Sequence, residues 1–94
     1  MWVDRLVFRA HAIRRMFERG VNESQIRDVL ENGEIIREYP EDQPYPSRLL
    51  LGWTQHRPLH VVAAESSPGE WIVITVYEPD PVVWDTDFKN RRTP

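Results

Sequence analysis

Apolar positions along this chain change their period once, near residue 33. Before that point they recur every three or four residues, and after it they alternate or run together in β-branched and aromatic blocks. In "RAHAIRRMFERG", Ala10, Ile13 and Phe17, joined by Met16, fall at helical spacing and are predicted to face a core, with Gly20 ending the helix. The next stretch, "VNESQIRDVLENG", carries nearly every local helix signal. Asn22 is a good N-cap and Gln25 sits where a capping box needs it. Val21 and Ile26 are spaced for a hydrophobic staple; Ile26, Val29 and Leu30 form the apolar stripe, and Gly33 supplies the stop. The spacing predicts a second short helix over roughly residues 23–32.

Beyond Gly33, "EIIREY" reads as a strand, broken by "PEDQPYPS", in which three prolines exclude helix and regular sheet. "RLLLGWT", "LHVVAA" and "WIVITVY" follow as three further strands, separated by "QHRP" and "ESSPGE", which together make two successive antiparallel hairpins. Pairing Ala64 with Trp71, Val62 with Val73 and His60 with Thr75 puts Leu59, Val61, Ala63, Ile72, Ile74 and Val76 on one apolar face. Pairing Thr54 with Leu59 adds Leu50 to that face and leaves Leu51 and Trp53 beside His60. The expected fold is a single α+β domain over residues 1–94, with two N-terminal helices packed on one face of a roughly four-stranded antiparallel sheet. The other face, carrying His60, Thr75 and Tyr77, is apolar enough to want a partner. Pro79 and Pro81 end the last strand, and "VVWDTDFKNRRTP" is left as a tail with room for one helical turn.

Ninety-four residues suffice for one domain with a modest core, and 40% apolar with 29% charged residues fit a globular protein rather than a disordered one. The absence of cysteine excludes disulfides and thiolate chemistry. No run is long enough for a membrane helix and "MWVDRLVFRA" lacks a signal-peptide pattern, so a cytoplasmic protein is expected. The net charge of −3 is unevenly spread. Residues 1–27 carry six arginines against three acids, residues 28–48 and 67–88 are acidic, and Lys89, Arg91 and Arg92 make the end basic. A basic patch can form where the two ends meet, because the local field steers a polyanion.

Two groups of residues carry candidate chemistry. His11, Arg15 and Arg19, four apart, lie along one side of the first helix. Guanidiniums on one stripe suit phosphate, and an imidazole beside them can move a proton near neutral pH; an ordinary solvated basic face has the same spacing. His60 and Tyr77 fall on the helix-free sheet face, where they are placed either to hold a base or simply to pack. His56 and His60 lack the further ligands of a metal site, and neither a Gly-rich phosphate loop nor a nucleophile elbow is present, so neither metal nor cofactor is expected.

"HAIRRMFERGV" resembles the His-Ala-x-x-Arg-Met-x-x-Arg-Gly opening of a bacterial family known as domain of unknown function 4258. The likeness continues through "GEIIREYPEDQPYPSRLLLGW", "RPLHVVAAE" and "ITVYEPDPVVWDTDFKNRR". Members of that family are similar to RelE-type toxins, small α+β ribonucleases of bacterial toxin–antitoxin pairs. The resemblance implies a RelE-like fold, metal-independent cleavage of RNA, on the ribosome in some cases, by attack of a 2′-hydroxyl on the adjacent phosphate, and an antitoxin partner. It implies His11 or His60 as acid and base, Arg15 and Arg19 as phosphate clamps with Arg92 as an addition near the end, and Tyr77 orienting a base. Toxins of that type are basic, whereas this chain is acidic. The second expectation is therefore a non-catalytic interaction module that docks a partner on its helix-free sheet face.

Overall fold

Residues 1–93 are described by a computed structural model. The strongest local signal is met in full. Helix α2 (Glu23–Asn32) is opened by the Asn22 side chain accepting from the Gln25 backbone N–H at 2.9 Å, while the Gln25 side chain accepts from the Asn22 N–H at 2.8 Å. Val21 and Ile26 are both buried, as the staple requires. Ile26, Val29 and Leu30 are 0–1% exposed, each stabilising the fold by about 1.5–3 kcal/mol.

Helix α1 (Ala10–Arg19) ends on Gly20 in the left-handed conformation, as expected, but turns a different side inward. Ala12 is fully buried and Met16 packs against the core, whereas Ala10, Ile13 and Phe17 are exposed. The orientation comes from an element that no periodicity announces. Strand β1 (Arg5–Phe8) pairs in parallel with β5 (Glu70–Tyr77), Arg5 opposite Glu70 and Phe8 opposite Val73, and Arg9 N–H extends the ladder to the Val73 carbonyl at 3.1 Å. The helix then starts beside β5 and packs against it, while α2 packs on β3 (Ser47–Thr54) and β4 (Arg57–Ser67).

With β2 (Glu34–Tyr39) the sheet has five strands in the order β1-β5-β4-β3-β2 and is mixed, not a four-stranded antiparallel sheet. The α+β class stands. A four-residue strand without alternation, whose partner lies more than sixty residues along the chain, leaves no local trace.

Hairpin register also departs from expectation. Gln55 and His56 both take positive φ, 50° and 64°, so β3 and β4 are joined by a two-residue turn that pairs Thr54 with Arg57 rather than with Leu59. The displacement is two residues, so the faces are unchanged: Leu50 lies opposite Val61 instead of Ala63 and stays on the core side. Between β4 and β5 the change is larger. His60 pairs with Tyr77 and Ala64 with Ile72, and an irregularity between Val62 and Ala63 inverts the parity of one half of β5. Trp71 and Val73 therefore join Val76 in the core, displacing the expected Ile72 and Ile74, which are only half-buried.

The sheet face away from α2 is not left free. The tail after β5 folds back over it, tied to β4 by His60 Nε2 to the Phe88 carbonyl at 2.8 Å and closed on itself by Arg92 N–H to the Val83 carbonyl and Asp85 N–H to the Asn90 carbonyl, at 2.8 and 2.7 Å. Trp84 is 4% exposed and meets the His60 ring edge-on at 4.6 Å; Phe88 meets Trp53 at 5.9 Å. Leu49, Leu51 and Ala64 are also buried on this side, and the tail covers His60, part of the docking surface expected there, while Trp53 stays 54% exposed. No helix among the described residues is long and apolar enough to cross a membrane.

Candidate functional site

Because β1 pairs only with Glu70–Val73, the second half of β5 has α1 beside it instead of a strand. The helical stripe and the end of β5 form a groove of about 300 Å³ lined by His11, Arg15 and Arg19 on one side and Thr75 and Tyr77 on the other. Glu78, Asp80, Val83 and Trp84, from the start of the tail, complete it.

His11 Nε2 lies 3.0 Å from Thr75 Oγ1, which fixes the imidazole against the strand. Arg15 is within 3.6 Å of Glu18 one turn on, a pair half-open to solvent on both sides and worth little. The Arg19 side chain enters no ion pair among the described residues. Its carbonyl, at the negative end of α1, instead accepts from Arg57 Nη2 at 3.0 Å, which ties the end of the helix to β4. The acids on the opposite wall are partly engaged: Glu78 lies 3.7 Å from Arg57, and an Asp80 oxygen accepts from the Val82 N–H.

His60 lies behind this surface. It is 0% exposed, with Nε2 at 2.8 Å from the Phe88 carbonyl and Nδ1 at 3.1 Å from the Tyr77 hydroxyl. A carbonyl can only accept, so Nε2 carries the proton. Burial lowers the His60 pKa, opposed in part by the Phe88 carbonyl, and the neutral ring presents a bare Nδ1 that accepts the Tyr77 O–H. Burial, and secondarily Tyr39, raises the Tyr77 pKa, with Arg91 acting the other way, so the phenol also stays neutral. Tail, histidine and tyrosine are thus linked in one hydrogen-bonded chain that holds the Tyr77 side chain against the groove.

The structure therefore brings together His11, Arg15, Arg19 and Tyr77, places His60 one layer behind them, and leaves Arg92 outside. Arg92 Nε donates to the Pro81 carbonyl at 2.7 Å and Nη1 lies 3.8 Å from Asp85, so this arginine braces the tail. Sequence reasoning missed Asp80, Val83 and Trp84 as groove residues, because the return of the tail has no periodic signature. The one available signal was the apolar cluster of Val82, Val83 and Trp84, the last a large aromatic at the head of a polar tail. Among the described residues, no group of three or more His, Asp or Glu is assembled to hold a metal. A second concavity of about 380 Å³, walled by Asp28, Leu51, Trp53 and Lys89, contains none of the sequence-predicted site residues.

The model of the family described as Domain of unknown function (DUF4258) matches residues 8–78. That span contains His11, Arg15, Arg19, His60 and Tyr77 and stops before the tail that covers His60. No curated protein and no solved structure matches the chain.

Proposed function

The chain belongs to the family described as Domain of unknown function (DUF4258), and we propose that its α1–β5 groove holds an RNA phosphodiester and cleaves it without a metal, in the manner of a RelE-like toxin. The observation that carries this reading is the meeting of His11, Arg15 and Arg19, from one helical stripe, with Tyr77 in a single groove. In the proposed step the His11 imidazole takes the proton of the ribose 2′-hydroxyl. The 2′-oxygen bonds to phosphorus, the bond from phosphorus to the 5′-oxygen breaks, and that oxygen leaves with a proton from solvent. The products are a 2′,3′-cyclic phosphate and a 5′-hydroxyl. Arg15 and Arg19 offer planar donor forks to the non-bridging oxygens as charge builds on them. His60 acts through Tyr77 rather than on the substrate. A cytoplasmic location, an RNA target met on the ribosome and a neutralising antitoxin belong to the same proposal.

Purified protein incubated with fluorescently labelled RNA, matched DNA and a chelator tests it. Cleavage of RNA alone is expected, with the rate falling about 10²–10⁴-fold in His11→Ala. Arg15→Ala is expected to weaken both binding and turnover, and induction in a bacterial host should arrest growth only with His11 intact. RNA left uncut by the wild-type protein, or cut equally by His11→Ala, refutes the proposal.

A further inference from the structure

Helix α1 has two apolar faces, and the fold uses one. Ala12 and Met16 enter the core, while Ala10, Ile13 and Phe17, spaced three and four apart on the outer side, have no cover; Ile13 is 55% exposed and Phe17 90%. Isolated exposed apolar residues are common, but a row at helical spacing is the pattern of a buried helix face. Arg9 and Arg14 border this row, and neither enters an ion pair among the described residues. The one acid on α1, Glu18, is turned to Arg15.

We infer that the outer face of α1 is a docking surface for an acidic amphipathic helix of a partner protein, with Ile13 and Phe17 as anchors and Arg9 and Arg14 as flanking charges. Charge selects this occupant. A second copy of the chain would set the arginines of one α1 against those of the other. A partner helix with Glu or Asp beside its apolar stripe meets both requirements, apolar cover for the anchors and opposite charge at the edges. An aliphatic anchor such as Ile13 favours protein over nucleic acid, which would stack on Phe17 but gain little from a branched alkyl group. The surface is distinct from the groove and does not rest on RNA cleavage.

The test uses a synthetic helix of about 20 residues, long enough to be helical, with leucines at helical spacing and glutamates flanking them. A matched peptide carries lysines in place of the glutamates. Binding to the full chain is read by fluorescence anisotropy, and the surface is mapped by the Ile13 methyl resonance. The glutamate peptide should bind and shift that resonance, and the lysine peptide should not. Phe17→Ser should weaken binding at least about tenfold, as for an interface anchor, and Arg14→Glu should reverse the preference between peptides. Both substitutions are at exposed positions, so unchanged circular dichroism checks that the fold persists. Equal binding of both peptides, binding indifferent to Phe17→Ser, or no binding overturns the inference. So does a dimer that Phe17→Ser dissociates, or Phe17-dependent binding to phosphatidylglycerol vesicles or an RNA oligomer in place of the peptide.

Discussion

Gly52 provides the most direct test of how α2 is seated on the sheet. It lies in β3 facing the helix, and a β-carbon there would sit 2.5 Å from Val29 Cγ2, 3.0 Å from Cγ1 and 3.1 Å from Cβ. The closest of these is roughly 1 Å short of ordinary contact in a close-packed interior. Val29 is 1% exposed, and its branched side chain in a helix has one strongly preferred rotamer, so it cannot turn aside. Gly52→Ala must therefore push α2 away from the sheet at a cost of about 1–3 kcal/mol. The lost flexibility of the unfolded chain offsets about 0.5–1 kcal/mol of that. The net loss, on the order of 1–2 kcal/mol, corresponds for a domain of this size to a Tm lower by about 5–15 °C. Val29→Ala removes the obstructing methyls, at its own cost of about 2 kcal/mol from lost burial. In that background Gly52→Ala should be neutral or slightly stabilising, giving a coupling of about 1–3 kcal/mol in a urea-denaturation cycle. Equal destabilisation by Gly52→Ala with and without Val29, or an unchanged Tm, would refute the packing argument.

Stability should also fall with acidity through His60. Its folded pKa lies below the ordinary 6.5, so from about that pH downward the unfolded chain takes up a proton the folded one refuses. The loss continues until the lowered folded pKa is reached, with a slope of at most about 1.4 kcal/mol per pH unit, and His60→Gln should remove this contribution from urea midpoints measured at several pH values. Trp84→Ala strips the ring from His60 and should cost about 3–5 kcal/mol, with exposure of Tyr77 visible as faster amide exchange in β5. Asn22→Ala removes the cap of α2 and should cost about 0.5–2 kcal/mol by thermal melting, with no effect on any groove activity.

Local chemistry made α2 legible down to its capping residues, because every group that starts and stops that helix lies within a few positions of it. Four of the five strands were legible for a similar reason, as β-branched and aromatic runs bounded by turn residues. The stripe of His11, Arg15 and Arg19 was legible too, since helical spacing alone puts those side chains on one side. What faces a helix, however, depends on what is brought to it. Ala10, Ile13 and Phe17 have core-like spacing, yet β1 pairs with β5 and presents the side bearing Ala12 and Met16 instead. Register between β4 and β5 was lost to two irregularities, at Val62/Ala63 and Glu65/Ser67, because a single extra residue exchanges the two faces of a strand.

Sequence alone therefore determined the helices, most strands and the set of ionisable groups available for chemistry. Tertiary structure decided which of them meet. It set His11 against Thr75, buried His60 behind Tyr77 beneath the tail, and drew Arg92 away into a brace. The physical reason is range. Capping and periodicity act over one or two turns of chain, whereas the parallel β1–β5 pairing and the return of Trp84 onto the sheet are contacts between segments that carry no local record of each other.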